Sequence, residues 1–313
     1  MEGRNSTVLT EFLLSGLTDV PELEILLFLI FFTVYIITIA GNGGIILLIT
    51  SDPCLHVPMY FFISHLAFID LFYSSTITPK MLADLVAEKK SISVPGCFTQ
   101  LSSFSLFATS ESNLLALMAF DRYAAICIPL RYPLIMAKNV CLWSVVGVYV
   151  ASLASCVINT GYMSVLSFCG PSVIRHFFCD FLALLRLSCT DTWSNEMLLF
   201  ASSALFTMCA ISIILFSYSS IVCAVFKIQS ITGRSKVIST CGSHFLCVVI
   251  FYGTLLYMYL RPNSSHSQEK DFVSSVFYAV VIPMLNPLIY SLRNKSMKNA
   301  LKKMEMKNIF PFW

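Results

Sequence analysis

Seven apolar stretches constrain this chain more than any other feature: residues 25–50, 58–82, 97–122, 140–163, 196–226, 237–260 and 271–292. Each is roughly 20 residues or longer, the length at which an α-helix crosses about 30 Å of hydrocarbon. Across 313 residues, 57% are apolar and only 12% are charged, about half the charged fraction of a soluble domain. Hydrocarbon offers no water to backbone N–H and C=O groups, so only helices and closed barrels can span it. None of the stretches has the two-residue alternation of a barrel strand. The expected fold is an all-α membrane protein, a seven-transmembrane helical bundle forming one domain over residues 1–313. Residues 1–24 are expected outside the cell, the bundle at 25–292 and a cytoplasmic tail at 293–313.

Charge sets the expected orientation. Residues 1–24 have no apolar core and are broken by Glu11, Asp19, Pro21, Glu22 and Glu24, so no cleavable signal peptide is expected there. Of the 20 Lys and Arg residues, 12 fall on the side of Arg122 and the C-terminus and 8 on the other. That excess marks the cytoplasmic side and puts the N-terminus outside. Asn5-Ser6-Thr7 is then an outward-facing glycosylation sequon. A net charge of +3 gives no case for nucleic acid as a partner. Residues 293–307 read as a short amphipathic helix lying on anionic membrane lipids, with Met297, Leu301 and Met304 as its apolar stripe.

Several polar residues stand where they are expensive. Asp70 and Glu111 lie within spans, where a carboxylate must be protonated, paired or bound to a cation. Asp121 and Arg122 close the third span. Pro287 removes one helical hydrogen bond and is expected to kink the seventh. Of 12 cysteines, Cys97, Cys169, Cys179 and Cys189 fall on the outer side, and four cysteines allow three pairings. A bridge from Cys97 to the second outer loop would tether that loop over the mouth of the bundle. The two acids come with no nucleophile, so catalysis is not expected.

The motifs, taken in order, carry a resemblance. Gly41-Asn42 stands in the first stretch, and Leu55-His56-Val57-Pro58-Met59-Tyr60-Phe61-Phe62 opens the second, which holds Asp70. The third ends Met118-Ala119-Phe120-Asp121-Arg122-Tyr123, followed by Pro129-Leu130-Arg131-Tyr132. Ser217-Tyr218 lies in the fifth, and Ser239-Thr240-Cys241-Gly242-Ser243-His244 opens the sixth. The seventh reads Pro283-Met284-Leu285-Asn286-Pro287-Leu288-Ile289-Tyr290. Over nearly its whole length the chain resembles the odorant receptors, a branch of the rhodopsin-like G-protein-coupled receptors, and within them the tetrapod air-type group. Phe120 and Ala124 stand where that family commonly has Tyr and Val, and both leave the charged pair intact.

The resemblance implies a plasma-membrane receptor that binds small, volatile, mostly neutral odorants and activates a stimulatory olfactory G protein to raise cyclic AMP. It implies bridges Cys97–Cys179 and Cys169–Cys189, which would oxidise the thiol in His176-Phe177-Phe178-Cys179-Asp180 and argue against a metal site there. It implies a switch at Asp121, Arg122, Tyr218, His244, Asn286, Pro287 and Tyr290, in which Arg122 leaves Asp121 for Tyr218 and a G-protein helix. Asn42, Asp70 and Glu111 with Asn286 resemble the family's mid-bundle polar cluster, where a sodium ion or shared protons sit in the resting state. The ligand pocket is expected in the outer half, from Phe104, Ser105, Ala108, Thr109 and Ser112 at helical spacing on the third span. Ser202, Ser203 and Phe206 would face them from the fifth, Tyr252, Leu255, Leu256 and Tyr259 from the sixth, and Val276, Ala279 and Val280 from the seventh. Such a lining has hydroxyls and no charge, which suits burial of an apolar molecule with an oxygen function. A metabolite-sensing receptor of the same fold is the alternative. A transporter or channel would call for related halves or a polar pore, and the sequence shows neither.

Overall fold

The computed structural model describes residues 10–18, 20–169, 172–259, 274–293 and 295–309. The proposed sugar acceptor Asn5 and the side chains of Tyr259 and Met304 lie outside the described parts.

Among the described residues the main helices are α1 (Pro21–Ser51), α2 (Pro58–Leu85), α3 (Val94–Cys127), α4 (Lys138–Ser164), α5 (Trp193–Lys227), α6 (Ile231–Tyr259) and α7 (Ile282–Arg293). A π-turn at Phe277–Val281 leads into α7, and α8 (Lys295–Ile309) follows it. By length and composition α1, α2, α4 and α5 could each cross a membrane, and α6 and the run into α7 hold shorter apolar helices at Cys241–Tyr257 and Ser274–Tyr290. Helix α3 carries more polar side chains and sits centrally, against α2, α4, α5 and α6.

Local chemistry fixes the ends of these rods. Pro21 opens α1 and Glu22 and Glu24 occupy its first turn, where they complement the helix dipole. Pro53 forces Asp52 into extended backbone and stops α1. The Asp52 carboxylate then accepts from Cys54 N at 3.0 Å to form the turn that reverses the chain into Pro58 and α2. Ser93 caps α3 by accepting from Gly96 N at 3.2 Å. Most helices begin earlier or end later than the apolar stretches, because caps and prolines, not hydrophobicity, set the boundaries.

The outer surface differs from that of a soluble protein. Ile25 on α1, Trp143, Val150 and Val157 on α4, and Phe200, Leu205 and Leu215 on α5 are at least 60% exposed where such side chains would normally be buried. The buried groups include Asp70, Glu111, Asn286 and His244. An apolar outer surface around a core that is itself mostly apolar but holds a few polar groups is the arrangement hydrocarbon solvent demands.

The all-α expectation holds for the rods but not for one end. There β1 (Glu11–Leu14) pairs antiparallel with β2 (Ser91–Ser93) and parallel with β3 (Val173–Ile174), in the order β2-β1-β3. Phe12 and Leu14 alternate inward, and Phe12 meets Phe168 edge to face at 5.6 Å. Four residues among acids and hydroxyls give little signal of a strand. Pairing with two distant segments supplies the hydrogen bonds instead. Lys89 pairs with Glu11, and Lys90 with Glu24 at 2.8 Å, fastening this sheet to the start of α1. We call this the sheet end, and the opposite end, where α3 finishes, the charged end.

Helix α8 packs on α1 and α7 through Met297 and Ala300, which are buried, while Leu301 is 47% exposed. The apolar stripe is therefore rotated from the expected one: Met297 and Ala300 face protein and Leu301 faces outward. Lys303 approaches Asp52 at 3.7 Å.

Candidate functional site

Polar contacts run along α3 from the sheet end to the charged end. At the sheet end, Cys97 is bonded to Cys179 and Cys169 to Cys189. Gln100, a residue with no motif to mark it, accepts from Cys179 N at 3.0 Å and donates to Thr76 O on α2 at 3.1 Å. It fixes the outer loop to two helices at once. Below that loop Phe104 stacks on Tyr73 of α2 at 5.4 Å and meets Phe178 at 5.1 Å and Tyr278 at 5.7 Å.

These contacts give the surroundings of part of the expected lining. Phe104 faces α2, the loop and the run into α7, not α5. Ala279 and Val280 are fully buried against Phe177 and Phe178, with Val276 beside them, so two aromatic side chains of the loop occupy that flank. Ser202 turns toward α4 and shares hydrogen bonds with Asn159, the closer at 3.1 Å. Leu256 is 45% exposed on the outer surface of α6, a few residues from inward-facing Tyr252. Periodicity shows that residues share a face but not which neighbour that face meets, and for Ser202 the neighbour is Asn159 of α4. Ser105, Ala108, Thr109, Ser203, Phe206 and Leu255 are each partly buried.

The floor of this region is a direct link between α3 and α6. The Tyr252 hydroxyl lies 2.8 Å from Ser112 Oγ and donates to Ser112 O at 3.0 Å. At the adjacent residue of α3, Asn286 Nδ2 donates to Glu111 Oε1 at 3.3 Å and to Asp70 Oδ2 at 3.0 Å, joining α2, α3 and α7. Asp70 Oδ1 and Glu111 Oε2 have no hydrogen-bond partner among the described residues. Asn42 is not in this cluster. Its amide donates to Thr38 O and to Pro283 O at 2.9 Å, stapling α1 to α7 where the backbone leaves the π-turn. Beside it, Gly41 lets Pro287 approach: a Cβ there would stand 3.1 Å from Pro287 Cγ. The kink expected at Pro287 is thus joined by an upstream π-turn that the sequence did not announce.

Nearer the charged end, His244 of α6 contacts Leu115 O at 3.1 Å through Nε2 and the Tyr218 hydroxyl at 2.7 Å through Nδ1. A carbonyl only accepts, so Nε2 carries the proton and Nδ1 of the neutral ring accepts from Tyr218. His244 therefore connects α3, α5 and α6. At the end of α3, Arg122 pairs with Asp121 at 3.1 Å, and Tyr132 donates to the other carboxylate oxygen at 2.9 Å. Tyr132 stood in the Pro-Leu-x-Tyr motif without an assigned role, and its contact supplies one. Arg122 Nε has no hydrogen-bond partner among the described residues. Tyr290 is buried to 2% exposure between these layers.

A model of the olfactory receptor family matches residues 31–308. The chain belongs to the olfactory receptor family. Olfactory receptor 8U3 of Mus musculus is 52% identical over 299 residues, covering 96% of this receptor and 94% of that one. Olfactory receptor 5AP2 of Homo sapiens is 50% identical over 309 residues, covering 99% and 98%. In fold the receptor is similar to squid rhodopsin, with a TM-score of 0.70 at 17% identity over 95% of this chain and 83% of the other. As a family member it is a multi-pass, G-protein-coupled signalling receptor of the plasma membrane and not an enzyme.

Proposed function

We propose that this olfactory receptor spans the membrane seven times, with its sheet end outside, and detects small neutral volatiles in the outer half of the bundle. Ligand binding loosens α6 from α3, the charged end opens, and a stimulatory olfactory-type G protein is activated to raise cyclic AMP. The observation that carries this reading is the pair of α3–α6 links, Tyr252 to Ser112 and His244 to Leu115 O, on one path from the expected pocket to Arg122. A ligand oxygen that takes either hydroxyl of the Tyr252–Ser112 pair competes with the upper link. Ser105, Ala108, Thr109, Ser203, Phe206 and Leu255 form the rest of the lining.

The charged end suits a two-state output. Asp121 is shared by Arg122 and Tyr132, while Arg122 retains an unused donor. A buried guanidinium with spare donors takes a new acceptor when α6 moves away. Between the two ends, Asp70 and Glu111 each present one carboxylate oxygen free of hydrogen bonds among the described residues. Sodium or a proton there favours the closed state, and α8 rests on anionic lipid through its lysines.

The test is a screen of a chemically broad volatile panel with a cyclic AMP reporter, run beside Arg122→Ala. A concentration-dependent response that Arg122→Ala abolishes at equal surface expression supports the proposal. A ligand that drives current or uptake without cyclic AMP overturns it.

A further inference from the structure

The outer surface of the bundle carries a groove that the odorant pathway does not use. It lies between α3 and α4, holds about 390 Å³, and has Gly161 in its wall, where an added Cβ would meet no atom within 4 Å. Its lining changes character along its length. Toward the sheet end stand the hydroxyls of Ser103, Thr160 and Ser164, and toward the middle of the bundle stand Leu106, Leu153 and Val157. Leu153 and Val157 are 50% and 60% exposed, so the groove opens onto the surface that hydrocarbon covers. From Leu153 to Ser164 the rise along α4 is roughly 16 Å.

Hydroxyls on a lipid-facing surface are unfavourable unless something satisfies them. Ser102 spends its proton locally, donating to Phe98 O at 2.7 Å and approaching Thr160 Oγ1 at 3.2 Å. Ser164 donates to Gly161 O at 2.7 Å. Ser103 has no hydrogen-bond partner among the described residues. The groove thus offers a hydroxyl at its outer end and an apolar bed below it.

We infer that this groove binds a membrane sterol, its single hydroxyl at Ser103 and Thr160 and its ring system along Leu106, Leu153 and Val157. No Lys or Arg lines the groove, which removes the side chains that would hold a phosphate headgroup. A rigid, neutral amphiphile also loses less conformational freedom on a shallow surface than a flexible acyl chain does. The site is separate from the odorant path, so its failure and the failure of the odorant reading are distinguishable.

The experiment uses the full-length receptor in lipid nanodiscs with a photoactivatable cholesterol analogue that retains the 3β-hydroxyl. Labelling is expected to concentrate on residues 102–106 and 153–164. Unlabelled cholesterol should compete about fivefold better than its 3α epimer, the effect expected for one hydrogen bond. Gly161→Leu fills the groove and should reduce labelling by a similar factor, while Gly147→Leu, also open and elsewhere on α4, should leave it unchanged. Even labelling over α1, α4 and α5, equal competition by the two epimers, or equally strong labelling of the groove by a photoactivatable phosphatidylcholine would overturn the inference. The competition is read on the unmodified receptor, so it decides the matter even if Gly161→Leu fails to fold.

Discussion

Replacing Tyr252 with Phe removes one hydroxyl and keeps the ring that packs edge to face with Phe251 at 5.1 Å. That hydroxyl makes two contacts with Ser112, to Oγ at 2.8 Å and to the carbonyl at 3.0 Å. Hydrogen bonds between membrane helices average about 0.6 kcal/mol, so the pair contributes about 1.2 kcal/mol to holding α6 on α3. If the open state makes neither contact, Tyr252→Phe raises the open-to-closed ratio by roughly eightfold. Ser112→Ala removes only the Oγ partner and should raise it by about threefold. The double variant should match Tyr252→Phe, because the second substitution then has no bond left to remove. The assay is ligand-free cyclic AMP accumulation normalised to surface receptor. Basal activity unchanged in Tyr252→Phe, or equal increments that add in the double variant, would refute the idea that these two bonds hold the receptor closed.

Three further outcomes follow from other parts of the structure. Gly41→Ala should lower the thermal unfolding temperature of the purified receptor, because the rigid Pro287 ring cannot yield and the overpacking cost of about 1–3 kcal/mol exceeds the gain of about 0.5–1 kcal/mol that Ala has over Gly in a helix, whereas Gly43→Ala and Gly44→Ala meet no neighbour and should be neutral or stabilising. Reducing surface delivery is the expected effect of Cys97→Ser, since that bridge closes 82 residues and its loss costs about 4.5 kcal/mol of loop entropy, against about 3.3 kcal/mol for the 20-residue Cys169–Cys189 loop. Glu11 is held below the ordinary glutamate value by its hydrogen bond to Lys89 and then by the charge of that lysine. A depressed folded-state value means stabilisation present at neutral pH and lost as pH falls through the ordinary and then the lowered value. The protection of the β1 amides relative to their intrinsic exchange should therefore fall on acidification, and Glu11→Gln should flatten that fall.

How much of this was legible in the chain varies with the range of the contacts. The rods were readable because apolar length is a local property, and so was Pro58 opening α2. The sheet was not, because β1 owes its form to partners near residues 92 and 173, and no local pattern announces them. Asp70, Glu111 and Asn286 stood out by the cost of polar groups in hydrocarbon, and the structure brings them together. Asn42 belonged to the same motif family yet bonds a backbone carbonyl of α7, a partner without a side-chain signature. For Ser202 helical spacing gives the face but not the neighbour, which is Asn159 of α4. Gln100 was missed because it acts through two backbone groups distant in sequence, and Tyr132 because its partner Asp121 lies on the preceding helix.

The most direct test of the central claim is the distance between the charged ends of α4 and α6. Paired spin labels at Val140→Cys and Ile238→Cys, both exposed, report it once the exposed thiols Cys54, Cys209 and Cys223 are replaced. Measured with an agonist from the volatile panel and a stimulatory G protein, the distance should lengthen, and Tyr252→Phe should populate part of the longer distance without ligand. A cyclic AMP response with the distance distribution unchanged would contradict the account.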